Sequence, residues 1–121
     1  MASHISVIKV FNAEAITQNT AESSIVDLSR YNTEGFFSIQ ISITGAGNIT
    51  LTYSLSNDGN TYITPSGTAA LFTAFGASSG EGSDGHSLVS FDPPLARYIK
   101  FTATEQNAGA ITALECDLAI Q

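Results

Sequence analysis

His4 and His86 are the only imidazoles in the chain, and neither has a second His, Cys or carboxylate at metal-ligand spacing. No metal or cofactor is therefore expected. Serine catalysis needs a strained nucleophile turn, with a base and an acid placed to activate it. No such turn is read here, and an abundance of Ser near some Asp is not a triad. Glycoside hydrolysis needs two carboxylates at a set separation, and Glu34, Asp58, Glu81, Asp84, Glu105 and Glu115 supply acids without fixing a pair. Asp58-Gly59-Asn60 and Ser83-Asp84-Gly85 superficially resemble calcium loops, but the twelve-residue ligand pattern is missing and Asp-Gly is the ordinary chemistry of a turn. Asn48-Ile49-Thr50 fits a glycosylation acceptor, which has meaning only on a secreted chain. The single Cys116 lies in the alternating run Leu114-Cys116-Leu118-Ile120 and reads as a small core hydrophobe. The expectation is a protein that is not an enzyme.

The elements that would hold these residues are strands. Phe37, Ile39, Ile41 and Ile43 alternate with Ser38, Gln40, Ser42 and Thr44, and after Gly45-Ala46-Gly47 the pattern resumes with Ile49, Leu51, Tyr53 and Leu55. Period two places successive side chains on opposite faces, so each segment has an apolar and a Ser/Thr-rich face. The pair is predicted to form an antiparallel hairpin. Further strands are expected at Ile5 to Phe11, Ser24 to Leu28, Thr61 to Thr64, Ser87 to Phe91, Ala96 to Thr104 and Ile111 to Ile120. The fold class is all-β: one antiparallel β-sandwich or jelly-roll domain of about eight strands over residues 1–121. Its expected core is Ile39, Ile41, Ile43, Leu51, Tyr53, Ile99, Phe101, Leu114, Cys116 and Leu118. Residues 1–13 form an N-terminal strand or arm. Residues 66–86 form a long loop with Leu71, Phe72 and Phe75 in its first half and a Gly/Ser-rich second half, read either as a short strand or helical turn packing those aromatics with a mobile tip, or as an arm that docks on a neighbouring subunit.

Composition narrows the partners. The chain has 121 residues, 43% apolar and only 12% charged, about half the charge of an average soluble domain. A net charge of −7 from four basic and eleven acidic residues disfavours nucleic acid and anionic membranes, because phosphate binding needs clustered Lys and Arg. No apolar run approaches the roughly 18 residues of a spanning helix. The start has no basic n-region and no apolar h-region, so a Sec-type signal peptide is not expected and synthesis in a host cytoplasm is. Low charge beside exposed apolar groups suits a surface covered in use. The residues expected to meet a partner are Ile5, Val7, Phe11, Leu71, Phe72, Phe75, Arg97 and Tyr98.

Two stretches carry a resemblance. Leu51-Thr52-Tyr53-Ser54-Leu55-Ser56-Asn57-Asp58-Gly59-Asn60-Thr61-Tyr62 resembles the strand, S-x-D-G, aromatic hairpin of discoidin-like jelly rolls. Phe91-Asp92-Pro93-Pro94-Leu95-Ala96-Arg97-Tyr98-Ile99-Lys100-Phe101 resembles their P-x-x-A-R-Y strand. The same hairpins are similar to those of small β-sandwich virion proteins of tailed bacteriophages. That resemblance implies a homo-oligomeric capsid decoration protein, located on the virion and bound to the phage major capsid protein or other virion proteins. The alternatives it leaves are a tail-associated virion protein and a carbohydrate-binding module whose partner is a glycan.

Overall fold

A computed structural model describes residues 5–31, 34–65 and 70–121. Its eight strands are β1 (Ser6–Ile16), β2 (Ala21–Asp27), β3 (Phe37–Gly45), β4 (Asn48–Ser56), β5 (Ala70–Gly76), β6 (His86–Phe91), β7 (Tyr98–Glu105) and β8 (Ile111–Ile120), with one 3-10 turn at Leu28–Arg30. They make two four-stranded sheets, ordered β1-β8-β3-β6 and β2-β7-β4-β5, and every pairing between them is antiparallel. Except between β4 and β5, each connection carries the chain from one sheet to the other. That eight-strand, two-sheet winding is a jelly roll.

Period two decides what lies between the sheets. Ile39, Ile41, Ile43, Leu51, Tyr53, Ile99, Phe101, Leu114, Cys116 and Leu118 are all buried in one continuous core, as their shared parity requires. Each such side chain contributes about 1.5–3 kcal/mol when fully withdrawn from water.

The expected central hairpin is not formed. β3 pairs with β6 and β8, whereas β4 pairs with β5 and β7 in the opposite sheet. Two strands with one apolar face each can bury it side by side or one above the other, and here the second arrangement holds. Gly45-Ala46-Gly47 is the corner that lifts the chain across. Ala46 and Gly47 both donate their N–H to the Ala110 carbonyl at 3.1 Å. Gly45 has φ +116°, and a Cβ there would lie 2.6 Å from the Thr112 amide nitrogen. Gly45→Ala is therefore expected to destabilise the domain by about 1–3 kcal/mol, read from the denaturant midpoint.

Other boundaries shift for local reasons. β1 extends to Ile16 and belongs to the sheet, with Val10, Phe11 and Ile16 buried. The part of 1–13 from Ser6 onward is thus a structural strand rather than a detachable arm; residues 1–4, His4 among them, lie outside the described residues. The expected strand Thr61 to Thr64 reduces to a single bridge, Leu55 with Ile63. Within 66–86, whose first four residues are not described, Ala70–Gly76 is strand β5. The loop proper is 77–85, closed by Ser79 N–H to Gly76 O and Gly85 N–H to Ser79 O at 3.0 and 2.9 Å.

Candidate interaction surface

Register brings the starts and ends of strands together. Ser6, Ile120, Phe37 and Phe91 are aligned across one sheet, and Asp27, Tyr98 and Ser56 across the other. The connections after β2, β4 and β6 therefore converge at one end of the sandwich. Among the described residues seven large apolar side chains are exposed, and five of them, Ile5, Val7, Phe36, Ile63 and Leu95, sit at or beside this end. Leu95 is 95% exposed. Soluble surfaces rarely gather so many without a use for them.

The end has shape as well as composition. Leu95 forms a ridge between two hollows, one of about 500 Å³ floored by Leu55, Ile63, Pro65 and Ala96 and one of about 320 Å³ against Leu28, Phe37 and Pro93. A third, of about 210 Å³, lies between Ile5, Phe36 and Ala119. The wall of the largest is the 56–61 turn. Asp58 Oδ1 accepts from Ser56 Oγ, Asn60 N–H and Thr61 N–H at 2.8, 2.8 and 2.9 Å. Ser56 Oγ in turn accepts from the Asp58 and Gly59 amides at 3.2 and 2.9 Å. The Thr61 and Asn60 amides, with the Ser56 hydroxyl, hold the Asp58 carboxyl down at about 2. Asn57 Oδ1 accepts from Arg97 N–H at 3.0 Å, tying this turn to the Pro93-Pro94-Leu95 loop. The carboxylate is thereby committed to its own backbone, so Asp58-Gly59-Asn60 works as a turn.

The expected partner residues divide. Ile5 and Val7 are exposed at this end. Arg97 and Tyr98 also lie here but are engaged by the fold. Arg97 Nε stands 3.4 Å from Asp27 Oδ1, and its guanidinium lies 5.0 Å from the Tyr98 ring centroid. Asp27 is held below its usual range by the Ser29 hydroxyl and then by Arg97. Phe11 and Phe75 are corrections: both are buried in the core and closed to a partner. Phe11 turns inward because Lys9 pairs with Asp117 and Phe11 with Cys116, so Val10 is inserted as a bulge and parity flips. Phe75 opposes Ile49. Leu71 and Phe72 are half-buried against the same core.

Three residues of the surface escaped sequence reasoning. Phe36 was findable, because adjacent Phe36 and Phe37 entering a strand must point opposite ways and one must face out. Leu95 follows two prolines in a connection that cannot pair as strand. Ile63 carried no signal of its own, since it stands beside Tyr62 in Thr61 to Thr64 and the sequence does not say which of the two faces out.

Contrary to the expectation that no nucleophile turn occurs, Gly76-Ala77-Ser78-Ser79-Gly80 has the letters of Gly-x-Ser-x-Gly. The turn that makes that motif reactive joins a strand to a helix, and here β5 runs into further turns and then β6. Ser79 Oγ accepts from Gly76 N–H at 3.0 Å. Burial pushes the Cys116 thiol up to about 12, far from a reactive thiolate.

The other end is polar. Glu14, Glu22, Glu81, Asp84 and Glu105 gather there, and among the described residues no Lys or Arg joins them. Glu105 is 1% exposed and clips three turns together. Its Oε1 accepts from Asn19 and Asn107 amides at 2.8 and 2.6 Å, and its Oε2 from Asn48 and Ala108 amides at 3.1 and 3.0 Å. The two poles therefore differ: one gathers the exposed apolar side chains beside Asp27, Glu34, Asp58, Asp92, Arg30 and Arg97, and the other gathers acids without a base.

No protein-family model matches the chain, and no curated protein matches it either. Solved structures do. The mitogen derived from Yersinia pseudotuberculosis superposes with a TM-score of 0.54 at 9% identity, over 97% of this chain and 85% of that one. VP2 from the infectious bursal disease virus subviral particle gives 0.55 at 14% identity, over 98% of this chain and 32% of its own. The virus of the Gx strain gives 0.50 at 12%. The chain thus spans about a third of the viral chains it matches. At these identities the likeness is one of fold, a β-sandwich shared by a bacterial mitogen and by proteins of viral particles.

Proposed function

We propose that the protein is a non-enzymatic structural component of a tailed-phage virion, a homo-oligomeric decoration subunit that seats its apolar end on the capsid. The observation that carries this reading is the ridge of Leu95 with Ile63, Phe36 and Ile5 exposed around three hollows. The fold shared with VP2 of a subviral particle agrees with it. Attachment is mechanical. Side chains of the shell fill the hollows, Leu95 fills a recess in the shell, and the acidic pole faces solvent. The added interface must break before the shell can open, so particles stripped of the protein should rupture at lower temperature.

The test is co-sedimentation of purified protein with particles lacking it. Replacing both Ile63 and Leu95 by Asp should leave circular dichroism unchanged, because both side chains are exposed, and should weaken particle binding by roughly thirtyfold or more, the effect of losing a central apolar anchor. Unchanged binding by the double variant would refute this surface. One observation favours a second reading: the largest of these hollows has Asn57 and Thr61 along one wall, whose side-chain amide NH2 and hydroxyl are hydrogen-bonding groups of the kind a glycan would use. Affinity on a glycan array without particle association would favour the carbohydrate-binding alternative.

A further inference from the structure

Four strands end their sheets: β1, β6, β2 and β5. An open strand edge invites pairing, and folded proteins blunt it with bulges, charges or irregular backbone. β1 has three register shifts and Ala13 at φ +52°. β5 has two shifts and Ala74 at φ +48°. β2 carries Glu22 and Asp27 with no base on the strand, so two copies would repel. β6, His-Ser-Leu-Val-Ser-Phe, has none of these devices. It pairs with β3 in unbroken register from Phe91 to His86, and Leu88 at its middle is 60% exposed on the outer face.

The hydrogen-bond parity shows which backbone groups are open. Ile43 N–H bonds Gly85 O, so the odd residues of β6 face β3 and the even ones face away. Of these, His86 is already engaged, its N–H donating to Asp84 Oδ1 at 3.3 Å and its carbonyl crowded by Gly80. Leu88 and Ser90 keep their N–H and C=O turned outward, and among the described residues no strand covers them.

We infer that β6 is a self-pairing edge whose occupant is a second copy of this chain, joined antiparallel about a two-fold axis through Val89. This rests on the homo-oligomer reading above and names its surface. The free groups set the register. Leu88 of each copy exchanges two hydrogen bonds with Ser90 of the other, and Val89 meets its own mate as a close non-hydrogen-bonded pair. On the outer face this register places His86 opposite Asp92 of the second copy, twice by symmetry, so an imidazole N–H meets a carboxylate at each end. Asp92 keeps the extended course that this needs because Pro93 follows it. Shifting the register to set Leu88 against Leu88 would bring the occupied His86 amide opposite Ser90, inside the ladder rather than at its end, and would lose the His86–Asp92 pairs. Charge and hydrogen bonding therefore both disfavour that shift. The half-buried Val89 and Phe91 gain cover, and the two four-stranded sheets become one of eight strands. Six residues a side is a small interface, so association is weak in dilute solution and rises where copies are held side by side.

The test uses the whole chain. Sedimentation at rising concentration should show a monomer–dimer equilibrium. Ser90→Pro removes an N–H that serves no intramolecular bond, and Leu88→Lys places like charges across the axis. Each should weaken self-association at least about tenfold, with circular dichroism and melting unchanged. Val89→Cys should oxidise to a covalent dimer, since non-hydrogen-bonded pairs stand about 4.5 Å apart between Cα atoms; Cys116 is buried and does not compete. A wild type that stays monomeric without a Val89→Cys cross-link overturns the inference. A dimer that survives both edge substitutions overturns it too, and cross-linking by Leu88→Cys alone overturns the register. Loss of the dimer in both edge variants of a protein that binds no particle supports the pairing and counts against the virion reading.

Discussion

Phe101→Ala is expected to cost about 3–5 kcal/mol in unfolding free energy, among the largest losses any single truncation can cause here. Phe101 lies on β7, an inner strand of its sheet, between Ser24 of β2 and Tyr53 of β4, and is fully buried. Its ring meets Phe91 of the opposite sheet edge-on at 6.2 Å, and Phe91 in turn lies 5.2 Å from Tyr53 and 5.7 Å from Phe37. The cavity would open where both sheets are held by neighbouring strands and cannot collapse. Ile41→Ala, on β3 between β8 and β6, should cost about 2–5 kcal/mol for the same reason. Urea unfolding monitored by circular dichroism measures both, and a Phe101→Ala loss below about 1 kcal/mol would contradict the packing described.

Glu105→Gln should be the most damaging substitution of a polar residue, lowering the melting temperature by more than about 5 °C at neutral pH. Burial by itself would raise this carboxyl, but the amides of Asn19, Ala108, Asn48 and Asn107 override it and hold the group at about 2. A Gln amide would set its NH2 against two of those donors. The pH dependence follows from the direction. A carboxyl lowered in the folded state contributes stability that is fully present above its ordinary value of 4.5 and is lost as pH falls towards about 2. Asp58 titrates downwards in the same window, from 3.8 to about 2. Wild-type stability should therefore fall steeply between pH 4.5 and about 2, and the gap between wild type and Glu105→Gln should narrow over the same range. A constant gap from pH 7 to pH 2 would show that Glu105 acts by shape alone.

The inward residues were legible because alternation along β3, β4, β7 and β8 assigns faces without knowledge of partners. The relation of β3 to β4 was not, since a sheet neighbour and a strand overhead bury the same Ile and Leu positions; only the pairing of β3 with β8, some seventy residues away, distinguishes them. Glu105 stood among several acids because its role exists only where three turns meet. The surface at the apolar end was half visible. Val7 lies on β1 and Ile5 just before it, where the pattern could be read, whereas Leu95 and Ile63 come from connections that converge only in space. Phe11 and Phe75 were placed with partners because aromatic residues near a terminus and a loop look available until a bulge or a strand pairing turns them inward.

The measurement that tests the virion role most directly is quantitative mass spectrometry of gradient-purified particles from a host expressing this chain. The expected result is hundreds of copies per particle at a fixed ratio to the major capsid protein, falling sharply when Ile63 and Leu95 are both replaced by Asp. Absence of the protein from washed particles would contradict a virion role, and a few copies per particle would contradict decoration of the capsid.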